Sequence, residues 1–318
     1  MIKNLILKNK DIQRGINYII LSGLCFMIVN FLVKILGSTP STTSILPTHS
    51  KYPPHELVLF RSVISFIISA IILKKRKIPI LGTNKKWLLI RGFSGMIALT
   101  LFFYTIHHLP IAIASTIQYL APIFTILLAS FLLSERINIK QWICILIALS
   151  GVFLIGISNL DLNLNSIKET ISWKWIMIGI CSSVFSGLAY VSVLKLKATE
   201  TPLNIVIYFP MLSIPIMTIW CFFDFVIPTT FEWLYLFLLG IFTQMAQVLM
   251  TKAFLLGNIT IISPFQYLGS IYAIIVGYYF FSEKLPILVF FGIFLIVMGV
   301  IVNIFVKEMN VIKHSNGK

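Results

Sequence analysis

"STIQYL" fills residues 115–120, and "SPFQYL" fills residues 263–268. Each sets a glutamine inside an apolar run, and corresponding letters stand 148 residues apart. The same offset carries Ser134-Glu135 onto Ser282-Glu283 and Gly151-Val152 onto Gly299-Val300. Ungapped agreement over three apolar segments marks an internal repeat. The question is what solvent such a repeat is built for.

Composition answers it. The chain has 318 residues, of which 58% are hydrophobic and 11% charged. Soluble domains carry roughly a quarter charged residues, so this much apolar surface calls for a bilayer. A spanning helix needs about 20 mostly apolar residues. Ten segments qualify, at 15–37, 55–73, 87–107, 110–133, 139–158, 173–194, 202–222, 231–255, 258–281 and 286–306. Pro54, Pro110, Pro202 and Pro286 sit near segment starts, where a missing amide donor costs least. Lys3, Lys8, Lys10 and Arg14 precede the first segment. That segment is longer than the apolar core of a signal peptide, so it reads as a retained span.

The predicted fold is therefore an all-α membrane protein of ten transmembrane helices in two five-helix repeats. Five is odd, so the second copy must cross in the opposite sense, as an inverted repeat. The expected divisions are 1–158 for the first repeat, 159–172 for an outer linker, 173–306 for the second repeat and 307–318 for a tail. With the N-terminus inside, seventeen Lys and Arg fall in inner segments and four in outer loops. The positive-inside rule then puts both termini, and the tail, in the cytoplasm. Abundant Ile and Lys is the usage of an AT-rich bacterial genome, so the expected location is the bacterial cytoplasmic (inner) membrane.

Polar residues inside spans mark the candidate site. Ser115, Gln118, Tyr119 and Pro122 share one helical face; Ser263, Gln266, Tyr267 and Ser270 form the matching face. A lipid-facing glutamine loses hydrogen bonds worth several kcal/mol, so both faces should point into protein or a wet cavity. Two uses stay open: polar glue between helices, or direct substrate contact. Pro122 also removes the donor for the Gln118 carbonyl, and Pro264 does the same for Thr260. Asn30, Tyr104, Tyr190, Gln244 and Gln247 are further candidates for the same lining. Arg61 reads either as snorkelling to an interface or as a positive group at the cavity mouth. Arg91 reads as an anchor at a helix start, and Lys34 and Lys252 as snorkelling residues.

Several functions are disfavoured. The net charge of +15 is grouped between apolar segments rather than spread over one basic face, which argues against nucleic acid as a partner. The four cysteines stand singly, with neither zinc nor disulfide spacing. No metal, cofactor or catalytic motif is present, so the chain is expected not to be an enzyme. No acid lies in the middle of any span. That weakens a proton-coupled drug or cation exporter and favours a zwitterion or anion as substrate.

"ELVLFRS" at 56–62, "FYTIHHLPIAIASTIQYLAPIFTILLASFLLSERI" at 103–137, "GVFLIG" at 151–156 and "SPFQYLGSIYAIIVGYYFFSEKL" at 263–285 resemble the EamA family of the drug/metabolite transporter superfamily. The resemblance implies a ten-helix inverted-repeat carrier with a central cavity that favours Gln118, Tyr119, Gln266 and Tyr267. It implies transport of a small organic metabolite, such as an amino acid or nucleotide-like compound, by alternating access. Its partners would be that small molecule and membrane lipids. A membrane enzyme acting on a lipid-linked substrate is the alternative of another class. The long loop at 38–54 and "GNITIIS" at 257–263 depart from the family pattern.

Overall fold

The structure is a computed structural model that describes residues 10–38, 51–133, 139–157, 172–256, 265–266, 268–283, 285–299 and 302. Ser263 and Tyr267, Glu135 and Arg136, nearly all of the 159–172 linker and the 307–318 tail lie outside the described residues. Among the described residues every regular element is helical. The helices are α1 Lys10–Gly37, α2 Pro54–Lys75, α3 Lys85–His108, α4 Ile111–Gln118, α5 Ala121–Leu133, α6 Ile139–Ile157, α7 Trp173–Leu196, α8 Pro202–Cys221, α9 Thr230–Leu256 and α10 Leu268–Phe281. A shorter helix, α11, spans Ile287–Gly299.

Seven stretches are long and apolar enough to cross a membrane: α1, α2, α3, Ile111–Leu132, α7, α8 and Phe231–Leu256 of α9. Within α6, α10 and α11 the apolar stretches are shorter, at Trp142–Ile155, Ile271–Phe281 and Ile287–Gly299. Each of these stretches overlaps one of the segments expected from hydropathy, with ends that differ by a few residues or more. The fourth segment differs in one respect. It is not one helix but two, α4 and α5, parted by a turn at Tyr119 and Leu120. Pro122 explains the break: it has no amide to continue the ladder onto the Gln118 carbonyl. The Tyr119 amide makes the last regular bond, to Ser115, and the chain closes α4 with tighter ones, from the Tyr119 amide to Thr116 and from the Leu120 amide to Ile117.

Helix starts follow their chemistry. Pro54 opens α2 and Pro202 opens α8, where their missing amides cost nothing. The Thr201 hydroxyl accepts from the Asn204 amide at 3.3 Å and caps α8. Asn204 Nδ2 donates to the Pro79 carbonyl at 2.7 Å, tying that start to the α2–α3 connection.

Packing repeats itself under exchange of the two halves. α3 packs on α7 as α1 packs on α9, and α3 packs on α8 as α2 packs on α9. The α6–α11 crossing shows the same relation at atomic scale. A Cβ on Gly151 would strike the Gly292 carbonyl, and a Cβ on Gly299 would strike the Cys144 carbonyl 2.8 Å away. Each contact maps onto the other under the 148-residue offset, so the glycines permit two helix backbones to touch in both copies.

Candidate functional site

A cavity of about 150 Å³ lies among α1, α3, α4, α7 and α9 and the segment around residues 265–269. That is room for on the order of ten waters, hence for a small solute. On α3 the lining residues are Arg91, Gly95, Ala98, Leu99, Phe102 and Phe103. Their spacing of four, three, one, three and one is a single helical stripe. α1 contributes Ser22, Phe26 and Asn30, and α9 contributes Gln247 and Met250.

Of the residues expected from the sequence, the cavity gathers Asn30, Arg61, Ser115, Gln118, Tyr119, Tyr190, Gln247 and Gln266. Two others stand elsewhere. Tyr104 follows Phe103 on α3 and is turned about 100° from the lining stripe; it is not among the lining residues. Gln244 is one helical step of three before Gln247, yet its amide points at α2. There it contacts the Ser65 hydroxyl, and its Nε2 donates to Ser69 Oγ at 2.7 Å. Gln244 therefore joins two helices instead of lining the void.

The matched glutamines differ in their engagement. Gln118 Nε2 donates to Ser186 Oγ at 2.6 Å, and its Oε1 lies 2.8 Å from the Ser182 hydroxyl. Ser183 donates to the Ile117 carbonyl at 2.7 Å. The α4 terminus is thus pinned to α7 by three neighbouring serines. Gln266 Nε2 has no partner among the described residues, nor do Gln247 Oε1 and Ser115 Oγ. Buried amides and hydroxyls without partners are costly unless something else meets them.

The two arginines decide between readings that the sequence left open for Arg61 and correct the one for Arg91. Arg61 does not snorkel: it is 1% exposed. Its guanidinium lies over the rings of Phe209 and Phe103, 4.9 and 5.7 Å from their centroids. Arg91 is no surface anchor: it is 3% exposed and lines the same cavity. The helix begins at Lys85 rather than at 87, so Arg91 stands nearly two turns inside it. Neither arginine has a carboxylate partner among the described residues, and no Asp or Glu is among the residues lining the cavity. Sequence reasoning also passed over Ser22, Gly95 and Gly269, whose only signal was their place on the lining stripes.

Beyond the cavity, one end of the bundle carries a different set of charges. Glu283 accepts the Ile111 amide at 3.0–3.1 Å, at the start of α4, and lies 3.6 Å from Lys34 Nζ. Lys34 also donates to the Leu109 carbonyl at 2.7 Å. Burial pushes the Glu283 carboxyl above its ordinary range, while Lys34 and the Ile111 amide pull it back. Tyr52 and the Thr229 amide both donate to Glu232 at 2.8 Å, and the Val226 amide donates to Glu56 at 3.0 Å.

Known proteins resemble this chain over nearly its whole length. It is 29% identical to a pseudopaline exporter of Pseudomonas aeruginosa, an alignment covering 91% of this chain and 95% of that one. It is 23% identical to an S-adenosylmethionine uptake transporter of Rickettsia prowazekii, over 83% and 85% of the two chains. A crystal structure that is 17% identical superposes with a TM-score of 0.60, covering 93% of this chain and 98% of the other. Helices long and apolar enough to span, together with these relatives, make this an integral membrane protein. The EamA-like transporter family model matches residues 13–157 and 173–305, one copy on each half, and the chain belongs to that family.

Proposed function

We propose that the protein is a secondary transporter. It moves a small organic metabolite, zwitterionic or anionic, across the bacterial cytoplasmic membrane by alternating access. Its ten spans form two inverted repeats, with 1–158 and 173–306 as the halves and both termini in the cytoplasm. The observation that carries this reading is a cavity lined from both halves, with Gln247 Oε1 and Gln266 Nε2 lacking a hydrogen-bond partner among the described residues and no acid among its described lining residues. A site shared by two repeats can open to either side as they rock about it. The relatives named as an exporter and an uptake transporter support movement of small metabolites. A cation exporter would need a negative group near its substrate, so the cavity favours the anion or zwitterion reading.

The proposed contacts are Asn30, Arg61, Ser115, Gln118, Tyr119, Tyr190, Gln247 and Gln266, which line the cavity. Solute counterflow in proteoliposomes tests the proposal, using labelled amino acids, nucleotides and S-adenosylmethionine. The expected result is flux of one solute class that Gln266→Ala diminishes. Flux of organic cations with none of these solutes moving would contradict it.

A further inference from the structure

We propose that the substrate is an organic dianion whose two negative charges are met by Arg61 and Arg91. The inference rests on the carrier reading and names its substrate class. Arg61 stands on α2 and Arg91 on α3, the next helix along the chain. Their long side chains enter one cavity. Both guanidiniums border Phe209: Arg61 stacks on its ring, and Phe209 Cδ2 lies 3.4 Å from the point where a Gly95 Cβ would strike Arg91 Nη1. Gly95 thus leaves the space that Arg91 fills.

Their chemistry is incomplete. The Nε, Nη1 and Nη2 of Arg61 and the Nε of Arg91 are buried with no hydrogen-bond partner among the described residues. Cation–π attraction to two rings is weaker than the penalty of burying an unpaired ion. Arg61 and Arg91 are the only charged residues among those described as lining the cavity, and they carry the same sign. A guanidinium offers a planar fork of donors suited to carboxylate or phosphate oxygens. Two forks with no protein counter-charge call for a ligand with two anionic groups, or one doubly charged group. The partnerless Gln247 Oε1, Gln266 Nε2 and Ser115 Oγ then remain for its neutral polar atoms.

The test uses the full chain in detergent, and the same preparation in proteoliposomes. Melting is followed with glutarate, glycerol 3-phosphate, butyrate, glycine and tetraphenylphosphonium. The expected result is stabilisation by glutarate or glycerol 3-phosphate at concentrations well below those needed for butyrate. Whichever of the two acts at the lower concentration says whether the charges sit apart or on one group. Arg61→Gln and Arg91→Gln should each raise the half-saturating concentration about tenfold to a hundredfold. Arg61→Lys, which keeps the charge and loses the fork, should fall between. Equal action of butyrate and the dianions would overturn the inference, as would no dianion stabilising the wild type, or unchanged binding in both Gln variants. Exchange in proteoliposomes separates the two levels. Flux of monoanions or neutral solutes, indifferent to both arginines, keeps the carrier and removes the dianion. Dianion binding with no exchange keeps the site and removes the carrier.

Discussion

The Glu283 end of the bundle and the central cavity both bury charge, and they treat it in opposite ways. Near Lys34, the carboxylate of Glu283 meets an ammonium and a helix-start amide. Glu232 is met by a tyrosine, a threonine hydroxyl and an amide. In the cavity, Arg61 lies over the rings of Phe103 and Phe209, and neither it nor Arg91 has a carboxylate partner among the described residues. Charge that holds a fold together is neutralised within the fold. Charge left unneutralised in a cavity is kept for a ligand, at a cost in stability.

The largest expected effect lies at the satisfied end. Glu283→Ala removes the carboxylate that faces Lys34 and accepts the Ile111 amide. It should destabilise by about 2–4 kcal/mol, read as a fall in melting temperature. A fall no larger than that of an exposed residue would dissolve the comparison.

The glutamine pair on α9 sharpens it at smaller scale. Gln244→Leu orphans Ser65 and Ser69 and should cost about 0.6–2 kcal/mol. Gln247→Leu removes an amide with a partnerless oxygen, so it should leave melting nearly unchanged while slowing solute exchange. Equal loss of stability in both variants would make Gln247 another structural link.

The smallest effect is in pH. Burial raises the Glu283 carboxyl above its ordinary range, so the folded state holds that proton more tightly than the unfolded chain. Its contribution to stability is therefore fully present below the ordinary carboxylate range and is lost as pH rises through the folded value. Glu283→Gln should flatten this part of the melting-versus-pH curve. A steeper curve in the variant would reverse the sign argued here.

The sequence made much of this legible. The repeated "QYL" led to the cavity because a polar side chain in an apolar run must find protein or water. The seven stretches long and apolar enough to span, and the three shorter apolar ones, all overlap segments read from hydropathy alone. What escaped was angular and local. Gln244 and Gln247 are three residues apart, and the cavity edge passes between them. Tyr104 misses the lining stripe by one residue. Arg91 looked like an anchor because the apolar signal starts at Trp87, whereas the helix starts at Lys85. The break at Tyr119 was implicit in Pro122, whose freed Gln118 carbonyl was foreseen but whose interruption of the helix was not.

The most direct measurement is the melting temperature of the ligand-free protein with Arg61→Gln and, separately, Glu283→Ala, in one detergent. The account predicts opposite signs: Arg61→Gln melts higher, because an unpaired buried cation is gone, and Glu283→Ala melts lower, because the Ile111 amide and Lys34 lose the carboxylate that meets them. If Arg61→Gln also melts lower, its guanidinium is a packing group on Phe103 and Phe209, and the cavity holds no charge in reserve for a substrate.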